Sequence, residues 1–236
     1  MRVLVVIPTY NRLFEPTIRD VMHIRPIGPG GFDLFMPCAG YGDGLRPTQD
    51  VITDKYNAGR AVVLSQGYDA MLTVESDMRV PPDALELLAA TEAPVAYGVY
   101  AFRRNGGLLN AFSVMDPDRM AGYPLSYVPD RLRAAWGGVV EVDGVGLGCT
   151  LIRREALEAV PFRIDRTRPH ADGTFSHCDW YFALDCLERE IRQVAHLGVL
   201  CGHISPCDLA GNVAPSVLWP DIDAADTGFV RCEPFT

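Results

Sequence analysis

The run Arg2–Pro8, RVLVVIP, constrains the fold most, because it is continuously apolar and β-branched. A strand with one wet face alternates apolar and polar residues; this one does not, so it reads as a strand buried on both faces. Such a strand needs a layer of structure on each side. Ala70–Val74 and Val95–Ala101 read the same way. Between them lie helical stretches: Glu15–Arg25 stopped by Pro26, Asp50–Gln66 closed by Gly67, and a segment opened by Pro81 and Pro82 that runs through Leu88. Further on, Phe32–Pro37, Val139–Val145, Thr150–Ile152 and Val194–Leu200 are strand-like, and Asp179–Ile191 is helical. The alternation predicts an α/β sandwich with a mostly parallel central sheet, as one domain over residues 1–204. Arg103–Trp136 is polar, rich in Gly and Pro, and reads as an excursion with one hairpin. Residues 205–236 carry little pattern and read as a tail, a flap over the active site.

Composition narrows the function classes. The chain has 236 residues and a formal net charge of -9, so a broad electrostatic grip on nucleic acid is not expected. No apolar run approaches the roughly 20 residues of a membrane span, and Met1–Pro8 is too short for a signal peptide. Seven cysteines, an odd count without a CxxC pair, fit reduced thiols in the cytoplasm. Cys201, His203 and Cys207 match no standard zinc spacing.

The residues that could carry chemistry begin with Glu75-Ser76-Asp77, directly after Ala70–Val74. In an extended strand the first and third of these point to one side. Two carboxylates at a strand's carboxyl end repel, and a hard divalent cation shared with phosphate oxygens removes the repulsion. The competing reading is a solvated turn ahead of Pro81-Pro82. Ser176-His177-Cys178-Asp179 fits a capping box with Ser176 as N-cap and Asp179 at the third helical position. Pro8-Thr9-Tyr10-Asn11 fits a turn leading into the first helix, Arg60 a solvated helix face, and His203 a buried, hydrogen-bonded histidine.

Five segments together resemble family-2-like glycosyltransferases with the GT-A fold: Val5–Arg12, Glu75-Ser76-Asp77, Gly144–Arg154, His177–Trp180 and Gly202-His203. Their order and spacing agree over about 200 residues. They are similar to that family's first strand and nucleotide turn, its "DxD" triplet, its glycine-rich strand, its catalytic helix start and its late metal-binding histidine. Glu75 stands where Asp is usual, Cys178 where Glu is common, and no carboxylate ends the second strand.

The resemblance implies a metal-dependent transfer of a sugar from a UDP- or GDP-sugar to an acceptor hydroxyl. It places Pro8, Thr9, Tyr10, Arg12, Arg60, Glu75, Ser76 and Asp77 at the donor, with Gly146 and Gly148 letting backbone approach the sugar. Asp77, His203 and Glu75 would hold Mn²⁺ or Mg²⁺, a Lewis acid for the leaving diphosphate. Asp179 would be the general base of an inverting transfer, with His177 as the nearby alternative. The acceptor is open among a glycan, a lipid-linked sugar, a protein, a small molecule and, less expected, a modified DNA base. A second reading comes from Ala39–Thr48, whose glycines and Arg46 loosely resemble sugar-nucleotide pyrophosphorylases, which are nucleotidyltransferases.

Overall fold

The computed structural model describes residues 1–9, 13–28, 31–37, 47–103, 108–167 and 176–235. Tyr10, Arg12 and the glycine loop up to Arg46 lie outside the described residues. In chain order the first half comprises β1 (Val3–Val6), α1 (Glu15–Met22), β2 (Phe32–Phe35), α2 (Thr48–Gln66), β3 (Ala70–Val74), β4 (Met78–Arg79), α3 (Ala84–Ala90) and β5 (Val95–Val99). Then come β6 (Ala111–Asp116), β7 (Ala121–Pro124), α4 (Pro129–Ala135), β8 (Val139–Glu141), β9 (Gly144–Val145), β10 (Cys149–Arg153) and α5 (Arg154–Ala159). The last elements are α6 (Cys178–Glu188), β11 (Gln193–Leu200), β12 (Gly202–Cys207), β13 (Val213–Pro220) and β14 (Val230–Pro234).

The central sheet has seven strands in the order β2-β1-β3-β10-β5-β11-β8. Five of them share one direction; β10 and β8 run against it. The architecture is therefore mixed α/β with a central, mostly parallel sheet. Strands β1, β3 and β5 are buried at every position, which is why their sequences show no alternation. Each fully buried Val or Leu there contributes about 1.5–3 kcal/mol. Gly59 on α2 faces β1 closely: an added Cβ would lie 2.8 Å from Val6. Gly67 closes α2 in the left-handed region at φ 72, where a residue without Cβ carries no steric penalty.

Arg153 and Arg154, at the end of β10, cap two helices. Arg154 donates to the carbonyls of Val63, Leu64 and Tyr68 at the C-terminal end of α2. Arg153 donates to the carbonyls of Ala89 and Ala93 at the end of α3. The guanidinium groups add donors to the carbonyl-rich ends of these helices, where positive charge also meets the negative end of each helix dipole.

Two regions differ from the sequence reading. The excursion contains the expected hairpin, β6–β7, and also α4, whose start at Pro129 uses the fixed φ of proline at a first helical position. Residues 205–236 do not form a patternless tail. The strand β12 runs through residue 204, where the sequence reading places the domain's end, and pairs with β13, which pairs with β14. The sheet β14-β13-β12-β4 is antiparallel, and Phe235 stacks edge-on against Phe14 at 5.9 Å. Among the described residues these strands pair with each other and β4, and they leave no helical or long apolar signature in sequence.

Candidate functional site

Strand β3 ends at Val74, and the chain turns: the Met78 amide donates to the Glu75 carbonyl. Glu75-Ser76-Asp77 therefore occupies a turn rather than an extended strand, yet Glu75 and Asp77 line the same cleft. Two bonds fix the turn against the glycine segment: the Glu75 amide donates to the Gly148 carbonyl, and the Thr73 hydroxyl donates to the Leu147 carbonyl at 2.7 Å.

The short strand β4 then pairs with β12, with Met78 opposite His203, and the Ile204 amide donates to the Asp77 carbonyl. That ladder brings a histidine from late in the chain beside Asp77. The His203 ring places Nδ1 2.8 Å from the Ala101 carbonyl and Nε2 3.9 Å from Asp77 Oδ1. A carbonyl only accepts, so Nδ1 carries the proton and Nε2 presents a lone pair toward Asp77. Burial, with help from the Arg103 charge, holds the His203 pKa down to about 3, so the ring is neutral at physiological pH.

Arg103, just after β5, forms an ion pair with Asp77 through its other carboxylate oxygen. Glu75 sits deeper. Its Oε1 accepts from the Tyr56 hydroxyl at 3.1 Å. Desolvation, reinforced by the Asp179 charge and opposed by the Tyr56 bond, raises its pKa to about 7. Burial also raises the Asp179 pKa. Asp179 lies in the first turn of α6, where its Oδ1 accepts from the Trp180 amide at 2.8 Å. The helix begins one residue later than the capping-box reading requires, with His177 as N-cap and no side-chain cap bond. Asp179 is thus at the second helical position, and its carboxylate lines the recess that also contains Glu75, Asp77, Arg103 and His203.

The cleft measures about 760 Å³, with a side recess of about 210 Å³. Pro8, Glu75, Ser76, Asp77, Arg103 and His177 line the main cleft, together with an apolar wall of Phe14, Ile52, Ile204 and Phe235. Thr9 is buried, and its carbonyl accepts from the Lys55 ammonium. Arg60 points elsewhere. Its guanidinium donates to the Leu157 and Glu158 carbonyls and ties α2 to α5. Gly146 and Gly148 line neither cavity. A Cβ on Gly146 would lie 2.0 Å from the Tyr100 hydroxyl and 3.2 Å from Asp179 Oδ2, and one on Gly148 2.6 Å from the Tyr100 ring. Both glycines make room for Tyr100, and Gly146 also for the carboxylate of Asp179.

Sequence reasoning did not single out Arg103, Tyr56 or Tyr100 for these roles. Arg103 and Tyr100 sit at the end of β5, and strand carboxyl ends are the ligand-binding edge of open α/β sheets; that edge was the available signal. Tyr56 is one of many helix residues on α2 and gives none.

Asp77 and His203 fit a divalent cation. The fixed Nδ1–H bond to a backbone carbonyl is the arrangement that orients a ligating imidazole, and a lone pair facing a carboxylate oxygen is a place for a positive charge. Glu75 fits less well, since Tyr56 holds its oxygen. Among the described residues no group of three or more His, Cys, Asp or Glu side chains is gathered tightly enough to hold a metal. The six described cysteines are free thiols, and no described helix is long and apolar enough to cross a membrane.

No protein-family model matches the chain, and no curated protein is detectably similar in sequence. Solved structures are similar in fold. A197 from STIV superposes with a TM-score of 0.57 at 17% identity, over 100% of this chain and 95% of that one. A structure of GalNAc-T7 with UDP, GalNAc and Mn²⁺ superposes with a TM-score of 0.54 at 11% identity, over 86% of this chain and 43% of that one. At these identities the likeness is one of fold.

Proposed function

We propose that the protein is a GT-A-type glycosyltransferase that takes a nucleotide-diphosphate sugar and uses a divalent cation. The observation that carries this reading is the pairing of Asp77 with the lone pair of a neutral His203, at the carboxyl edge of the sheet and in a cleft of about 760 Å³. The fold likeness to an enzyme structure with UDP, GalNAc and Mn²⁺ makes UDP-sugars the first donors to try.

On this reading Asp77 and His203 hold the cation, which supplies Lewis-acid stabilisation of the leaving diphosphate. Pro8 and the apolar wall of Phe14 and Ile52 bound the nucleotide end of the cleft. Asp179 accepts the proton of the acceptor hydroxyl. Burial raises its pKa above the ordinary carboxylate range, the direction a general base requires, and the Trp180 amide fixes its Oδ1 at the edge of the recess. Glu75, with its pKa raised to about 7, is part protonated near neutral pH and tunes the charge beside Asp77. His177, exposed at the rim, offers a contact to the acceptor.

A panel of UDP- and GDP-sugars with Mn²⁺, read by diphosphate release, tests the reading. Release with one donor that is lost in EDTA and in Asp77→Asn supports it. Pyrophosphate exchange with a nucleoside triphosphate would instead mark a nucleotidyltransferase, and binding without turnover a carbohydrate-binding protein.

A further inference from the structure

We infer that Arg103 is a resident cation of this site, held on Asp77 in competition with the divalent ion. The inference rests on the metal reading of Asp77 and His203 above. Its geometric basis is the division of one carboxylate between two partners: Oδ2 of Asp77 meets the Arg103 guanidinium, while Oδ1 faces His203 Nε2 at 3.9 Å.

Three features support competition over coexistence. First, the cleft concentrates acceptors. Glu75, Asp77 and Asp179 line one recess with the His203 lone pair, and Arg103 is the arginine or lysine among the residues lining it. Without a positive charge the carboxylates repel one another. Second, one strand end delivers both parts. The Ala101 carbonyl orients the histidine, and the residue two further on supplies the guanidinium. Third, Arg103 is able to leave. Its side chain is 38% exposed while Asp77 is 19% exposed, so the arginine withdraws toward solvent more readily than the aspartate does. A divalent ion and a guanidinium on one partly buried carboxylate repel strongly at such range, and the flexible, exposed partner yields.

The consequence is a metal affinity set below what Asp77 and His203 would give alone. Mn²⁺ binding without nucleotide, measured by the electron paramagnetic resonance of free Mn²⁺, tests it in wild type, Arg103→Gln, Arg103→Lys and Asp77→Asn. We expect Arg103→Gln to bind Mn²⁺ about tenfold or more tighter than wild type, Arg103→Lys to stay within about threefold of it, and Asp77→Asn to lose the site. In EDTA, Arg103→Gln melts below wild type, and Mn²⁺ restores it. If Arg103→Gln binds Mn²⁺ no tighter than wild type while Asp77→Asn loses binding, competition is wrong and the metal reading stands. If no variant shows Asp77-dependent Mn²⁺ binding, both fail. Circular dichroism on each variant confirms the fold, and Arg103→Lys, which keeps the positive charge, gives the comparison should the glutamine variant fold poorly: wild-type-like melting in EDTA supports the counter-ion role, and a loss equal to that of Arg103→Gln overturns it.

Discussion

His203 Nε2 lies 3.9 Å from Asp77 Oδ1 because Met78 and His203 are ladder partners in β4 and β12. The strand β4 is two residues long, so two ladder pairs, Met78 with His203 and Arg79 with Gly202, set the geometry of the candidate metal site. Its other anchor is the Nδ1–H bond to the Ala101 carbonyl.

The first expectation concerns that pair. Asp77→Asn keeps the size of the side chain and removes its charge. We expect diphosphate release to fall by about a hundredfold or more, while the backbone bond from the Ile204 amide to the Asp77 carbonyl remains.

The second concerns pH. The Glu75 pKa rises from 4.5 to about 7 on folding. Between those values the native state binds more protons than the unfolded state, so this group makes stability fall as pH rises. His203 goes the other way. Its pKa drops from 6.5 to about 3, the unfolded state binds more protons in that window, and stability falls as pH drops. The two slopes oppose each other between about 4.5 and 6.5. Asp179, whose pKa burial also raises, adds a slope of the Glu75 sign, so metal-free Glu75→Gln is expected to lose stability relative to wild type as pH falls toward 4.5. A Glu75→Gln melting profile parallel to that of wild type would refute the assignment.

Tyr56→Phe removes the hydroxyl that Glu75 accepts from at 3.1 Å. That bond favours the ionised carboxylate, so its loss raises the Glu75 pKa further and costs about 1 kcal/mol. A shift of the pH–activity profile to higher pH, with little change in maximal rate, is the expected outcome.

Gly146→Ala places a methyl group 2.0 Å from the Tyr100 hydroxyl and 2.4 Å from Asn110 Nδ2. Both neighbours are buried, so the strain amounts to about 1–3 kcal/mol. Thermal melting reads the loss directly. Activity falls as well, because Asp179 Oδ2 shares the contact.

Arg60→Ala separates two roles for one residue. The guanidinium bonds to the Leu157 and Glu158 carbonyls at 2.5 and 3.4 Å, so the variant is expected to melt lower by the equivalent of about 1 kcal/mol and to keep the donor KM. A raised KM with unchanged melting would restore the diphosphate contact that the sequence resemblance implied.

Sequence alone determined the parts of this protein whose environment is uniform. The apolar run at Val3–Val6 and the nearly apolar one at Ala70–Val74 demanded strands covered on both faces, and Gly67 marked the end of α2, because burial on both sides and a left-handed backbone each restrict residue type locally. The tertiary structure decided what depends on partners distant in the chain. Only the β4–β12 ladder sets His203 beside Asp77, and only the end of β5 sends Arg103 onto the same carboxylate. Arg153 and Arg154 read as part of a family motif and became helix caps, while Gly146 and Gly148 read as openings to the cleft and became room for Tyr100. A residue type states which bonds a side chain is able to make; which partner takes them is settled when the fold brings the competing donors and acceptors within reach.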